Sequence, residues 1–292
     1  MRLIVTLLLL PLLIAAILGA AFVIRNRNNG SIIVNGEERV YLVHVPHGYD
    51  RARAVPLVIS MHGAGGWPAQ QMRMTRWNDL ADREGFIVVY PSGAKMAGPR
   101  IWRGSDVAYI SRLIDRLERD YNIDRSRVYA NGFSNGGGMT FLLSCTISDR
   151  LAAIGMAGAA QPLPWRWCRD THPLPVIAVH GTDDRFAPYH GGESPIVPPG
   201  HPFPSIPVWI AKWAARNRCA LPPAESRVAK DIVRTTYAPC AADVVFYTVE
   251  GGGHQWFGGR PFPEWFVGHD PRTFDTTAQM WAFFKSHRLR VT

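Results

Sequence analysis

The stretch Gly132-Phe133-Ser134-Asn135-Gly136 constrains this chain more than any other. It follows a β-prone run, Arg127-Val128-Tyr129-Ala130-Asn131, and leads through Gly137 and Gly138 into a helix-forming segment, Met139-Thr140-Phe141-Leu142-Leu143. In a strand–turn–helix context, a Gly-x-Ser-x-Gly turn holds its serine in a strained conformation with the hydroxyl clear of the sheet. The flanking glycines are needed because a Cβ there would collide with the neighbouring strand or helix.

The remaining pattern supplies a sheet for that turn. β-prone runs at residues 31–34 and 37–45 meet at Asn35-Gly36, a hairpin signal. Mostly apolar strands are predicted at 56–61, 86–90 (stopped by Pro91), 128–130, 175–179 and 244–249, and helices at 77–83, 107–120, 208–216 and 276–285. Apolar strands alternating with helices predict an α/β fold, a mostly parallel sheet covered by helices on both faces. One domain is expected over residues 31–292. The Pro- and Gly-rich stretch 188–207 reads as a long loop of the functional or mobile kind.

Function in such a sheet gathers at the carboxyl ends of the strands, and four ends here carry suggestive chemistry. Ser134 is the candidate nucleophile, and a serine hydroxyl needs an adjacent base to take its proton. His254, in Gly251-Gly252-Gly253-His254-Gln255-Trp256 after the last strand, fits that base; His269 lacks a strand before it, and His44 and His47 come too early. His180-Gly181-Thr182-Asp183-Asp184 follows the 175–179 strand, and a carboxylate there would fix the imidazole tautomer. Spacing alone does not separate Asp183 from Asp184. The loop His62-Gly63-Ala64-Gly65-Gly66 offers backbone N–H groups, near Ala64, to a developing oxyanion, with the N–H of Asn135 as second donor. Serine, then acid, then histidine is the α/β-hydrolase order. Trp102, Trp256 and Phe257 are candidate pocket walls for an aromatic or apolar acyl group, and equally candidates for the core.

Composition bounds what remains. A chain of 292 residues with 47% hydrophobic and 19% charged residues is globular. The net charge of +9 comes from scattered arginines with no dense basic run, which argues against nucleic acid and leaves a basic surface attractive to anionic polymers or membrane. Residues 3–24 form an uncharged, mostly apolar run ended by Arg25 and Arg27, so residues 1–27 read as a cleaved signal peptide or an uncleaved membrane anchor. Either places the folded part outside the cytoplasm, secreted or anchored. Four cysteines fit export, and the short-loop pairing Cys145–Cys168 with Cys219–Cys240 is expected. No His or Cys spacing suits a metal.

From about Val40 onward the chain resembles the esterase family that groups polyhydroxybutyrate depolymerases with feruloyl and acetyl-xylan esterases. The resemblance rests on "HGAGG" at His62, "WNDLADREGFIVVYP" at Trp77, "SDVAYISRLIDRL" at Ser105, "GFSNGG" at Gly132, "HGTDD" at His180 and "GGGHQWFGG" at Gly251. It implies an α/β-hydrolase with Asp184 as the acid. The chain departs from the family at Phe257, where proline often follows the tryptophan. It also shows no appended polymer-binding domain, which weighs against solid polyester. The expectation is an exported serine esterase that cleaves carboxylic esters, polymer-derived ones included, through an acyl-enzyme with no metal or organic cofactor. A serine peptidase of the same fold and a catalytically silent binding protein are the alternatives.

Overall fold

The computed structural model describes residues 26–94, 99–170 and 172–289, together with 19, 23 and 24. The chain runs β1 (Gly30–Val34), β2 (Glu37–His44), β3 (Val55–Met61), α1 (Pro68–Thr75), α2 (Trp77–Glu84), β4 (Ile87–Pro91), α3 (Asp106–Asp120), β5 (Ile123–Phe133), α4 (Asn135–Ser144), β6 (Ala153–Ala157), β7 (Val176–Gly181), α5 (Ile206–Arg216), β8 (Ala224–Ala229), β9 (Ile232–Tyr237), β10 (Val244–Val249), α6 (Glu264–Val267) and α7 (Thr276–Phe284). The apolar run 3–24 lies outside the described residues but for Gly19, Val23 and Ile24. Among the described residues no helix is long and apolar enough to cross a membrane.

The strands share one sheet in the order β1-β2-β4-β3-β5-β6-β7-β10-β9-β8. The central six, β4 to β10, are parallel, and an antiparallel hairpin closes each edge. In the β1–β2 hairpin, Asn35 and Gly36 both take positive φ, 52° and 82°. This twist matches that of the flanking strands and explains the Asn-Gly pair.

The parallel strands are buried on both faces, and their period of two sorts one core from the other. Leu57, Ile59 and Met61 of β3, with Ile154 and Met156 of β6, face α3, α4 and α5; the opposing helical residues include Leu113, Phe141 and Trp213. Val58 of β3 and Ile177 of β7 face the other way, onto Trp77 of α2 and onto Met280, Trp281 and Phe284 of α7. Helices on both faces are thus a direct result of strands with no polar side to leave in water.

The structure adds elements beyond those predicted. Helix α1 has a polar composition, and its sequence signal is Pro68 in the first turn, where proline is well tolerated. Strand β6 is short and interrupted by Gly155, where a Cβ would stand 2.8 Å from Met280 Sδ, so the glycine admits α7. Strand β8 is almost wholly exposed and carries Glu225 and Arg227, as suits a sheet edge, which hides its pattern. Pro91 ends β4 as part of the strand, opposite Tyr41. The 188–207 loop is closed by a bridge between Gly192 and Phe203, and its last two residues already belong to α5.

Both expected disulfides are formed, Cys145–Cys168 and Cys219–Cys240. The first fastens the end of α4 to the segment before β7; the second fastens the end of α5 to the segment before β10. With its cysteines 23 positions apart in sequence, the first should stabilise the fold by about 3 kcal/mol through loop entropy. Denaturant unfolding of the C145S/C168S double variant is expected to show a loss of that size.

Candidate active site

The site starts from a collision avoided. Strand β5 delivers Ser134 to the start of α4 with φ 53° and ψ −121°, a backbone conformation an L-residue rarely takes. A Cβ on Gly132 would overlap the Gly136 carbonyl, and one on Gly136 would overlap the Met61 carbonyl oxygen. Only glycine at both positions lets α4 start this close to β5 and β3. The Ser134 N–H donates to Ala157 O at 2.9 Å, so β6 holds the turn from its other side.

Asp184 lies on the turn after β7 and is fully buried as a side chain. Its Oδ1 accepts the backbone N–H groups of Phe186 (2.9 Å) and Ala187 (2.8 Å), while Oδ2 faces His254 Nδ1 at 2.7 Å. His180 Nε2 stands 3.3 Å from the same Oδ2 and 2.8 Å from Ala187 O. Burial alone would raise the carboxyl's pKa, but the His254 and His180 contacts outweigh it and hold the group well below the usual carboxylate range. Asp183 is exposed, and its carboxylate takes the Thr182 hydroxyl at 3.1 Å. Between two aspartates that spacing left level, the geometry brings Asp184 to His254. His180 was not read as a partner, although it opens the same motif.

His254 is carried by the segment after β10. Its backbone N–H donates to Val267 O at 2.6 Å, and its ring packs on Phe133 and Phe186, with centroids 4.7 and 5.3 Å away. Gln255 beside it points inward: Nε2 donates to Phe262 O and Gly268 O, and Oε1 accepts the Phe262 N–H, each at 3.0 Å. Ser134 and His254 face one cavity, but among the described residues they form no hydrogen bond with each other.

The loop after β3 lies across from His254. Asn135 is the first residue of α4, where a backbone N–H has no intrahelical acceptor. Ala64 is exposed and lines the cavity beside Ser134. Behind it His62 is buried, with Nδ1 2.7 Å from Gly63 O and Nε2 accepting the Gly93 N–H at 2.9 Å. Those partners require the neutral Nδ1–H tautomer. Burial, opposed by the Gly63 bond and assisted by Arg100, lowers the His62 pKa from 6.5 to about 4. The Trp102 indole N–H donates to His62 O at 2.8 Å, and the Trp102 backbone N–H donates to Asn135 Oδ1 at 2.6 Å.

The cavity measures about 240 Å³, and its walls are apolar: Met74, Phe133, Phe186, Ile196, Phe262, Phe266 and Val267. None of the three aromatic residues expected as walls lines it. Trp102 is spent bracing His62 and Asn135. Trp256 and Phe257 are buried in the core against α7, with the Trp256 indole N–H on Thr277 Oγ1 at 2.9 Å. The walls missed from sequence follow the site motifs at short distance: Phe186 two residues after Asp184, Phe262 in the segment after His254 and Phe266 in α6 beyond it. Among the described residues no group of three or more His, Cys, Asp or Glu could hold a metal ion.

The His62 geometry has a pH consequence. Between pH 6.5 and about 4 the unfolded chain binds a proton at this histidine that the folded chain refuses. Its contribution is therefore intact above pH 6.5 and lost as pH falls towards 4, by about 3 kcal/mol. Urea unfolding at pH 7 and pH 4 is expected to show a drop that is smaller by that amount in His62→Gln.

Comparison with known proteins bears on the family of the chain. The esterase PHB depolymerase family matches residues 39–161. A probable feruloyl esterase C of Aspergillus clavatus is 30% identical over 235 residues, 77% of this chain and 78% of that protein. A bifunctional acetylxylan esterase/xylanase of Neocallimastix patriciarum is 37% identical over 150 residues, 50% of this chain but only 22% of that protein's length. Among solved structures, the acetyl xylan esterase from Aspergillus awamori superposes with a TM-score of 0.60 at 14% identity, covering 74% of this chain and 89% of that one, which shows a shared fold. The sheet, the sharp serine turn and the length of the match to the Aspergillus protein together place this chain in the feruloyl esterase C and PHB depolymerase family of serine carboxylic ester hydrolases.

Proposed function

We propose that this chain cleaves carboxylic esters with Ser134 as nucleophile, His254 as base, Asp184 as the carboxylate that orients His254, and the N–H groups of Ala64 and Asn135 as the oxyanion hole. The observation that carries this reading is the 2.7 Å contact of buried Asp184 with His254 on the cavity that Ser134 faces. Ser134 Oγ adds to the ester carbonyl as its proton passes to His254 Nε2. The negative charge develops on the carbonyl oxygen, where two backbone N–H groups stabilise it by about 3 kcal/mol each. Collapse expels the alcohol, which takes the proton from His254. Water then adds to the acyl-enzyme by the same route and releases the acid. The missing Ser134–His254 hydrogen bond forms as substrate closes the site.

Phenyl rings on several walls favour an aryl acyl group, such as the feruloyl group named in the Aspergillus relative, over acetyl. Two disulfides and the 3–24 segment support an exported protein.

Ser134→Ala is expected to abolish release of a chromogenic ester's alcohol while leaving the circular dichroism spectrum unchanged; retained turnover would refute the nucleophile. Asp184→Asn is expected to lower kcat by about 10⁴, and Asp183→Asn by less than about twofold. Phe266, half exposed on the cavity rim with its ring 5.4 Å from Phe186, should act on aryl esters selectively. Phe266→Ala is expected to lower kcat/KM for methyl ferulate about fivefold and leave an acetyl ester nearly unchanged. Equal effects on both would assign it no part in acyl choice.

A further inference from the structure

Beside the cavity at Ser134 lies a second, more open one of about 320 Å³, between α1 and the segment after His254. Gln70, Met74 and Phe262 line both, so the two adjoin across a shared wall. The outer cavity differs in charge. Arg73 and Arg260 line it, and among the described residues no carboxylate does.

Arg73 and the backbone of Arg260 are both tied to α1. Arg73 follows Gln70 by three residues on α1, which places both on one helix face. Its Nη2 donates at 2.9 Å to Asn26 Oδ1, which also accepts the Trp67 indole N–H at 2.7 Å. The Arg260 backbone N–H donates to Met74 O at 2.9 Å, and a Cβ on neighbouring Gly259 would overlap that same oxygen. The loop carrying Arg260 is thus sewn to the end of α1. Arg260 is exposed and forms no ion pair among the described residues. An anion arriving at this wall would meet the exposed Arg260 guanidinium with no lining carboxylate, among the described residues, to compete for it. This also gives a local use to a chain whose net charge is +9.

We propose that the outer cavity is a subsite for a carboxylate borne by the ester substrate, held between Arg73 and Arg260 while the scissile carbonyl lies at Ser134. This rests on the ester-hydrolase reading above. A guanidinium presents a planar fork of donors that matches a carboxylate's two oxygens. Two sources carry that chemistry next to an ester: a uronic acid in a polysaccharide, and the free acid end of a hydroxyacid oligomer.

Two matched substrate pairs test this. One is an acetylated xylo-oligosaccharide with and without a glucuronate branch. The other is a 3-hydroxybutyrate trimer as free acid and as terminal amide. The readout is the ratio of kcat/KM, acidic over neutral, within each pair. At low salt that ratio is expected to reach about ten in at least one pair. It should shrink as salt screens the charge. Arg260→Gln should bring it close to one, and because Arg73 also braces Asn26, that variant is the deciding one. The pair that shows the preference names the source of the carboxylate. A wild-type ratio near one in both pairs, or a preference that survives Arg260→Gln, would overturn the subsite. No turnover of any of the four esters would instead sink the hydrolase reading, and the subsite with it.

Discussion

The contact between Gly132 and Gly136, where strand β5 and helix α4 pass with no room for a Cβ, governs the rest of the site. It forces Ser134 into a conformation that costs about 1–3 kcal/mol. That strain persists because everything around it is fixed. Gly136 lies against the carbonyls of Met61 and His62 at the end of β3, and Gly137 approaches Ala159 after β6, where a Cβ would stand 2.6 Å from the Ala159 Cβ. Helix α4 is buried on nearly every face, and a disulfide holds its far end. Three strand ends, one helix and one covalent bond therefore define the position of a single hydroxyl.

Charge is partitioned across that hydroxyl with equal care. On one side a buried carboxylate is kept ionised by two imidazoles and two backbone N–H groups. On the other, the His62 imidazole is kept neutral because each of its nitrogens already has a partner of fixed polarity, Gly63 O and the Gly93 N–H. The same residue type thus serves opposite ends: in one place its N–H groups support a negative charge, in the other its neutrality keeps a loop of backbone donors in shape. Trp102 joins the two halves by bonding both His62 and Asn135, which is why so large an aromatic residue belongs to the frame and not to the cavity.

Much of this was legible in the chain. The parallel strands read clearly because both their faces are apolar, and the four strand-end motifs read clearly because tight turns restrict which residues they accept. Strand β6, helix α1 and the β8–β9 hairpin did not. Gly155 breaks the apolar run of the first, the second is polar, and the last lies at an edge where charge is favoured over burial. The cavity walls were the least legible part. Nearness in sequence to His254 does not fix direction: His254 faces the cavity, while Trp256 and Phe257, two and three residues on, face α7. The rings that do face the cavity come from Phe133, Phe186, Phe262 and Phe266, and only folding brings those segments together. Asp184 was separated from Asp183 by family resemblance in the sequence, and by burial and a 2.7 Å contact in the structure.

Gln255 leads to a different kind of conclusion. One amide side chain closes the loop from its own position to Gly268, bonding the backbone at Phe262 and Gly268, and the neighbouring His254 N–H bonds Val267 O. The imidazole and the aromatic wall of Phe262 and Phe266 are therefore one mechanical unit, indexed to each other through a single residue. Ile196 belongs to a different body: the 188–207 loop, about half exposed at that side chain and closed by one bridge. Divergence among relatives has two unequal routes to a new acyl preference. Changes on the Ile196 loop leave the histidine where it stands, whereas changes on the Gln255 loop displace wall and histidine together.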